Sequence, residues 1–163
     1  AARDVKQEDR IRVIMVGAFC EQPPVALLRA IERAGCYLID DDLLLGETDV
    51  ETDLAGTGGD PLAVLARAYT ESRVSSAVRF DVRREAGHLL ATRVRALGAD
   101  GVVFAAPSFC DPALLDQPRL TQVLDDEKIP YTAFKYAENT GQFQGIREQA
   151  GTFADSVKLW GHA

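Results

Sequence analysis

The sequence predicts an α/β fold built on a four-stranded parallel sheet in the order 2-1-3-4, a three-layer arrangement of the Rossmann or flavodoxin-like kind. Three observations predict this class. Short apolar runs rich in β-branched residues recur along the chain, and stretches with helical periodicity separate them. At 163 residues with 47% apolar content, the chain is large enough to bury a core. We expect residues 1–163 to form a single domain.

Four apolar runs are the expected strands, and they follow a polar lead-in at residues 1–10. They comprise residues 12–17, 36–39, 101–106 and 130–136. Such runs are typical of strands that are buried on both faces of a parallel sheet. Helical stretches between them imply right-handed crossovers, so every strand is expected to end at the same edge of the sheet.

Helices are expected between and after these strands. The first opens at Pro23 and Pro24 and ends at Gly35. Others are expected at residues 60–69, 82–97 and 118–127, and a last one from Asn139 or Thr140. Apolar residues at helical spacing predict the buried faces of the first and last helices. These are Val25, Leu28, Ile31 and Ala34, and then Phe143, Ile146, Ala150, Phe153, Val157 and Trp160.

Charge and hydropathy exclude two classes of partner. A formal charge of -7 without a cluster of Lys and Arg argues against a nucleic-acid surface. The apolar runs are far shorter than the roughly 20 residues needed to span a bilayer. The first ten residues mix both charge signs and contain no apolar signal segment. The expected location is therefore the cytoplasm, with no nucleic-acid or membrane partner.

A short string recurs after the first and third strands. It is G-A-F-C-E-Q-P-P around Cys20 and A-P-S-F-C-D-P around Cys110. With the predicted strand order, both cysteines should lie at the carboxyl edge, flanking the crevice where α/β proteins bind ligands. Each also precedes a helix start, whose backbone N–H groups favour a thiolate. A metal or redox role is one interpretation, and burial as small apolar side chains is the other.

Cys36 begins the second strand and is expected in the core at the opposite edge of the sheet. Sulfur ligands without a nearby histidine suit iron-sulfur or zinc better than hard cations. The histidines His88 and His162 are expected to be structural or on the surface. The acidic run 40–42 is expected to cap turns rather than hold a cation.

A polar segment follows the fourth strand and should face the same crevice. Asn139, Thr140 and Gln142 are its candidate substrate contacts. Asn139 with Gln142 also matches a helix N-cap with a polar partner, which explains both without a ligand. No dinucleotide fingerprint or phosphate-binding loop is present in the sequence, so ATP and nicotinamide are not expected to bind here.

Five longer strings resemble a known family. They are G-A-F-C-E-Q-P-P, L-I-D-D-D-L-L-L-G, G-A-D-G-V-V-F-A-A-P-S-F-C-D-P, F-K-Y-A-E-N-T-G-Q and R-E-Q-A-G-T-F-A-D-S-V-K-L-W. Over nearly its whole length the chain resembles the iron-sulfur subunits of benzoyl-CoA reductase, within the 2-hydroxyacyl-CoA dehydratase superfamily. The resemblance implies the C-terminal part of a longer subunit, since complete subunits carry further cluster cysteines upstream.

The resemblance also implies ligands, chemistry and partners. Cys110 is similar to a 4Fe-4S cluster ligand shared across the superfamily, and Cys20 resembles a second one. Residues outside this chain would complete the cluster. The implied reaction reduces the ring of benzoyl-CoA, or a related acyl-CoA, to a cyclic diene. The resemblance further implies a separate ATP-hydrolysing activator subunit that supplies electrons from ferredoxin. The alternatives are a 2-hydroxyacyl-CoA dehydratase subunit and a non-catalytic α/β domain without a cluster.

Overall fold

A four-stranded sheet forms the centre of the structure, a computed structural model that describes residues 8–17, 23–42, 54, 58–71, 85–137 and 143–160. All pairings in the sheet are parallel, and the order β2-β1-β3-β4 is the predicted one. The strands are β1 (Ile11–Val16), β2 (Cys36–Asp41), β3 (Gly101–Pro107) and β4 (Tyr131–Tyr136). The predicted fold class is therefore confirmed.

Helices cover both faces of the sheet and give it three layers. The described helices are α1 (Val25–Arg33), α2 (Pro61–Glu71), α3 (Ala86–Leu97), α4 (Asp111–Asp126) and α5 (Phe143–Trp160). Helices α1 and α5 pack together on one face, whereas α3 and α4 pack on the other. Successive side chains of β1 point to opposite faces of the sheet. Val13 packs in the core under α1 and α5, and Ile14 packs in the core under α3 and α4.

The central strand β3 is buried along its whole length. Its pairing with β1 ends at Val16 and Phe104, but its pairing with β4 continues to Pro107 and Tyr136. The carboxyl end of β3 therefore extends past β1 and is held by β4. This offset determines where the turn after β3 leaves the sheet.

The prediction for α4 was wrong at its start. The sequence interpretation began this helix at Pro118, but the observed helix begins at Asp111 and contains Pro118 in its interior. Proline lacks the N–H that would bond the carbonyl four residues earlier, so it usually ends or kinks a helix. Here Ala113 and Leu120 are buried on either side of Pro118, and their packing keeps the two parts in one helix.

Two residues predicted on buried helix faces are exposed. Val25 is 68% exposed, because the buried face of α1 is formed by Leu27, Ala30 and Ile31. Trp160 is 74% exposed and lines an open cleft of about 330 Å³ beside Pro130, at the amino edge of the sheet. Among the described helices, none combines the length and apolarity needed to cross a membrane.

Two glycines in first helical turns provide a test of the packing between α3 and α4. A Cβ on Gly87 would lie 2.6 Å from Val123 Cγ2, whereas a Cβ on Gly145 would have no neighbour within 4 Å. We expect Gly87→Ala to lower the free energy of unfolding by about 1–3 kcal/mol through overpacking. Gly145→Ala should raise it by up to about 1 kcal/mol through helix propensity. Urea titration of both variants checks this, and equal effects would contradict the close approach of the two helices.

Candidate functional site

A tight turn joins β3 to α4 at the carboxyl edge of the sheet. The backbone N–H of Cys110 donates to the carbonyl of Pro107 over 3.0 Å and closes the turn. Cys110 is also the N-cap residue of α4, and its carbonyl accepts the N–H of Leu114 over 3.1 Å. Cys110 therefore has a backbone fixed on both sides, by the turn before it and by the helix after it.

Ser108 ties this turn to the neighbouring strand. Its backbone N–H and its hydroxyl both donate to the carbonyl oxygen of Tyr136, over 2.8 and 2.9 Å. Tyr136 is the last residue of β4, and its side chain is buried in the core under α1 and α5. The turn that carries Cys110 is thus anchored to a rigid part of the sheet.

The side chain of Cys110 is only 1% exposed and packs with Ala106 and Ala113, with Leu114 beside them. Its neighbour Phe109 is 94% exposed. Burial among small apolar groups is a property of an apolar filler, and it is equally a property of a metal ligand that is screened from water. Burial of Cys110 is therefore compatible with both roles.

The end of β1 is fixed by a different set of contacts. Gly17 has φ +117°, a conformation that disfavours side chains, and a Cβ there would lie 3.2 Å from the carbonyl oxygen of Ala105 in β3. Its N–H donates to both carboxylate oxygens of Asp42 at 3.0 Å, and the N–H of Asp42 donates to Met15 over 3.2 Å. The capping role expected of this acidic run is confirmed for Asp42.

A second acidic residue of the run is held by α3. Arg93 donates from Nη2 to Asp40 Oδ1 over 2.6 Å and to the carbonyl of Asp41 over 3.1 Å. Its Nε also forms an ion pair with Asp40 Oδ2. One hydrogen bond and one ion pair thus tie the Arg93 guanidinium to the Asp40 carboxylate. Asp40 therefore serves to bind α3 to the carboxyl end of β2.

The structure places one predicted site residue where the sequence put it. Cys110 lies at the carboxyl edge, one strand away from β1, as expected. Cys20, Asn139, Thr140 and Gln142 lie outside the described residues.

A 4Fe-4S cluster is usually held by four cysteine thiolates. Within the part of the chain that the structure describes, no group of three or more His, Cys, Asp or Glu side chains could hold a metal ion. A single buried thiol at a helix start fits one ligand position of such a cluster. The described residues would therefore supply one ligand, Cys110, to such a cluster.

Cys36 has the structural role that its position predicts. It begins β2 at the amino edge and is buried in the core under α1 and α5. Burial raises the pKa of the Cys36 thiol to about 11, and the positive charges of Arg10 and Lys158 oppose this shift. At neutral pH this cysteine is an uncharged apolar side chain. His88 lies on the surface near Glu85, also as expected.

Sequence reasoning missed the role of Ser108. The sequence does show a serine between the end of the third strand and the candidate ligand Cys110, in the string P-S-F-C. Serine commonly bonds backbone groups in turns, but the sequence alone does not identify the acceptor. The acceptor lies 28 residues away on β4 and becomes visible only in the fold.

Comparisons with known proteins agree over almost the whole chain. The family model described as 2-hydroxyglutaryl-CoA dehydratase, D-component, matches residues 1–157. The chain is 49% identical over 158 residues to a benzoyl-CoA reductase subunit of Thauera aromatica, covering 96% of this chain and 41% of that protein. It is 23% identical over 156 residues to the beta subunit of lactoyl-CoA dehydratase of Anaerotignum propionicum, covering 96% and 41%.

A third relative is the (R)-phenyllactyl-CoA dehydratase beta subunit of Clostridium sporogenes, 21% identical over 146 residues and covering 90% of this chain and 38% of that protein. The chain therefore spans about two fifths of the length of the curated relatives it matches. All three are subunits of enzymes that act on coenzyme A thioesters, according to their names.

The raised pKa of Cys36 predicts a pH dependence of stability. The folded state holds the thiol proton more tightly than the unfolded state, whose pKa is near 9.0. The stabilisation is fully present below about pH 9 and is lost between about pH 9 and 11, amounting to about 2–3 kcal/mol. The difference in unfolding free energy between the wild type and Cys36→Ala should shrink over this range. A difference that stays constant in denaturant titrations from pH 8 to 11 would contradict the assignment.

Proposed function

Because the chain belongs to the 2-hydroxyglutaryl-CoA dehydratase D-component family, we propose that it is part of a benzoyl-CoA reductase subunit. In the proposed reaction, the aromatic ring of benzoyl-CoA, or of a related acyl-CoA, takes up electrons and protons in single-electron steps and becomes a cyclic dienoyl-CoA. One observation carries this proposal: identity to the reductase subunit is 49%, about twice the identity to either dehydratase subunit.

We assign Cys110 and Cys20 as thiolate ligands of a 4Fe-4S cluster that residues outside this chain complete. When bound, the cluster supplies low-potential electrons to the substrate. Three features of Cys110 support the assignment: its place at the carboxyl edge of β3, its backbone fixed by the turn, and its location at a helix start. Cys20 is assigned from its matching string after β1.

The remaining roles follow from position. Ala106 and Ala113 surround the Cys110 thiol with apolar groups and keep water from it, which an oxygen- and water-sensitive reduction requires. Asn139, Thr140 and Gln142 follow β4, whose carboxyl end lies beside the Cys110 turn. We propose that they contact the thioester at this edge.

The proposal includes partners and location. Residues 1–163 would form one α/β domain, the C-terminal part of a longer iron-sulfur subunit. This subunit would work with other reductase subunits, among them an ATP-hydrolysing activator that receives electrons from ferredoxin. The enzyme would act in the cytoplasm in anaerobic degradation of aromatic compounds, without a nucleic-acid or membrane partner. The names of the relatives as subunits support a multi-subunit assembly.

Two other functions each have an observation in their favour. The description of the family and two of the three relatives name dehydratases, which favours redox-neutral elimination of water from a 2-hydroxyacyl-CoA. The packing of Cys110 among alanine side chains also fits a non-catalytic α/β domain that holds no cluster. Because identity to the reductase subunit is higher, we rank both of these functions below the reductase.

The cysteines provide a matched test of the ligand assignment. The full-length subunit, purified without oxygen, should lose most of its iron and sulfide in Cys110→Ala, because a ligand is removed. Cys36→Ala should keep both, since Cys36 lies in the core at the other edge of the sheet. Iron and sulfide analysis checks this. A complete cluster in Cys110→Ala would contradict the assignment, and no iron in the wild type would favour the non-catalytic domain.

Turnover separates the reductase from the dehydratase. The assembled enzyme, supplied with ATP and a low-potential electron donor, should consume benzoyl-CoA and form a dienoyl-CoA with stoichiometric oxidation of the donor. It should leave a 2-hydroxyacyl-CoA unchanged. Mass spectrometry of the thioesters measures both. Loss of water from the 2-hydroxyacyl-CoA, with benzoyl-CoA untouched, would assign the chain to a dehydratase instead.

A further inference from the structure

We infer that Ser108 is a positioning residue for the iron centre, holding the Cys110 turn against the carboxyl end of β4. The inference deepens the proposed function and rests on it, since it requires Cys110 to be a cluster ligand. In this role Ser108 touches neither iron nor substrate. It acts through the backbone of the turn.

The hydrogen-bond ladder between β3 and β4 ends at a proline. Pro107 is paired with Tyr136, but proline has no N–H to donate. Ser108 therefore supplies the next backbone donor at this edge, and it adds its hydroxyl as a second donor to the same carbonyl. Two donors on one carbonyl oxygen restrict the direction as well as the distance of the contact.

The contact between Ser108 and Tyr136 fixes Cys110 through the backbone of the turn. Only Phe109 separates Ser108 from Cys110, and the hydrogen bond from Cys110 to Pro107 closes the turn around both. Phe109 is exposed and makes no part of the core, so it does not hold the turn. The position of Cys110 is consequently set from one side by the Ser108 contact and from the other by α4.

The acceptor of both bonds, the carbonyl of Tyr136, belongs to a rigid part of the sheet. Tyr136 is buried, and it packs in the same core as Phe134 and Ile146 of β4 and α5. The carbonyl at a buried strand end moves little, so the hydrogen bond from the Ser108 hydroxyl holds the turn in a fixed position. Cluster ligands must be held to within a fraction of an ångström for a stable and uniform site.

Another hydroxyl in the chain provides a matched control. Thr92 donates from Oγ1 to the carbonyl of His88 over 2.8 Å, within α3 and away from the Cys110 turn. This contact has the same chemistry as the bond from Ser108 to Tyr136 but no connection to a proposed ligand. Because the Thr92 bond is exposed and local to one helix, Thr92→Ala removes a hydroxyl bond without touching the turn and should change stability little.

The experiment uses the full-length subunit with its cluster, in four variants: Ser108→Ala, Ser108→Thr, Thr92→Ala and Cys110→Ala. Two properties are measured without oxygen: the rate at which a chelator removes iron, and the electron paramagnetic resonance spectrum of the reduced cluster. Ser108→Ala should release iron about fivefold faster, which corresponds to the loss of one net hydrogen bond, and should show altered g-values. Ser108→Thr should restore both properties, and Thr92→Ala should change neither.

A Ser108→Ala protein with the iron-release rate and g-values of the wild type would overturn the inference. If Cys110→Ala loses its iron in that same experiment, the proposed function still stands. If Cys110→Ala keeps a complete cluster, the ligand assignment itself has failed.

If Ser108→Ala does not fold, Ser108→Thr and Ser108→Val replace it, because their side chains have the same shape and differ only in the hydroxyl. Equal iron-release rates and g-values in that pair would then overturn the inference.

Discussion

The parallel pairing of β1, β3 and β4 is the constraint on which the rest of the structure depends. Parallel strands all end at one edge, so the residues that follow them are brought together although they are distant in sequence. The extension of β3 past β1 then makes the Cys110 turn a neighbour of the end of β4. Both helical layers serve this arrangement by burying the two faces of the sheet.

Polar groups at the strand ends hold this edge in one conformation. The end of β1 is fixed by the carboxylate of Asp42, and the turn after β3 is fixed by Ser108 on the carbonyl of Tyr136. Backbone groups that leave a sheet lose their ladder partners, and these side chains replace them. Arg93 does the same for the end of β2 by donating to the carbonyl of Asp41. A well-ordered edge results, and such an edge suits a cofactor ligand.

Much of the fold follows from hydrophobic patterning, because a buried parallel strand needs a continuous apolar run. The strands, their order and the edge position of Cys110 were all predictable on this basis. The start of α4 was not, since proline is tolerated in a first helical turn but disfavoured inside a helix, and tertiary packing overrides this local effect at Pro118. Val25 and Trp160 lie at helix ends, where periodicity poorly predicts burial. The acceptors of Ser108 and Asp42 are long-range partners, and no local pattern reveals them.

The central claim is that Cys110 is bonded to iron. The most direct measurement is carbon-13 NMR of the full-length subunit, reconstituted without oxygen and labelled at the β-carbon of cysteine. A paramagnetic cluster shifts the β-carbon resonances of its own ligands far outside the normal range. If Cys110 is bonded to iron, a strongly shifted resonance disappears in Cys110→Ser, while the Cys36 resonance stays in the diamagnetic range. A Cys110 resonance in the diamagnetic range, in a protein that contains a full cluster, would show that Cys110 is not a ligand.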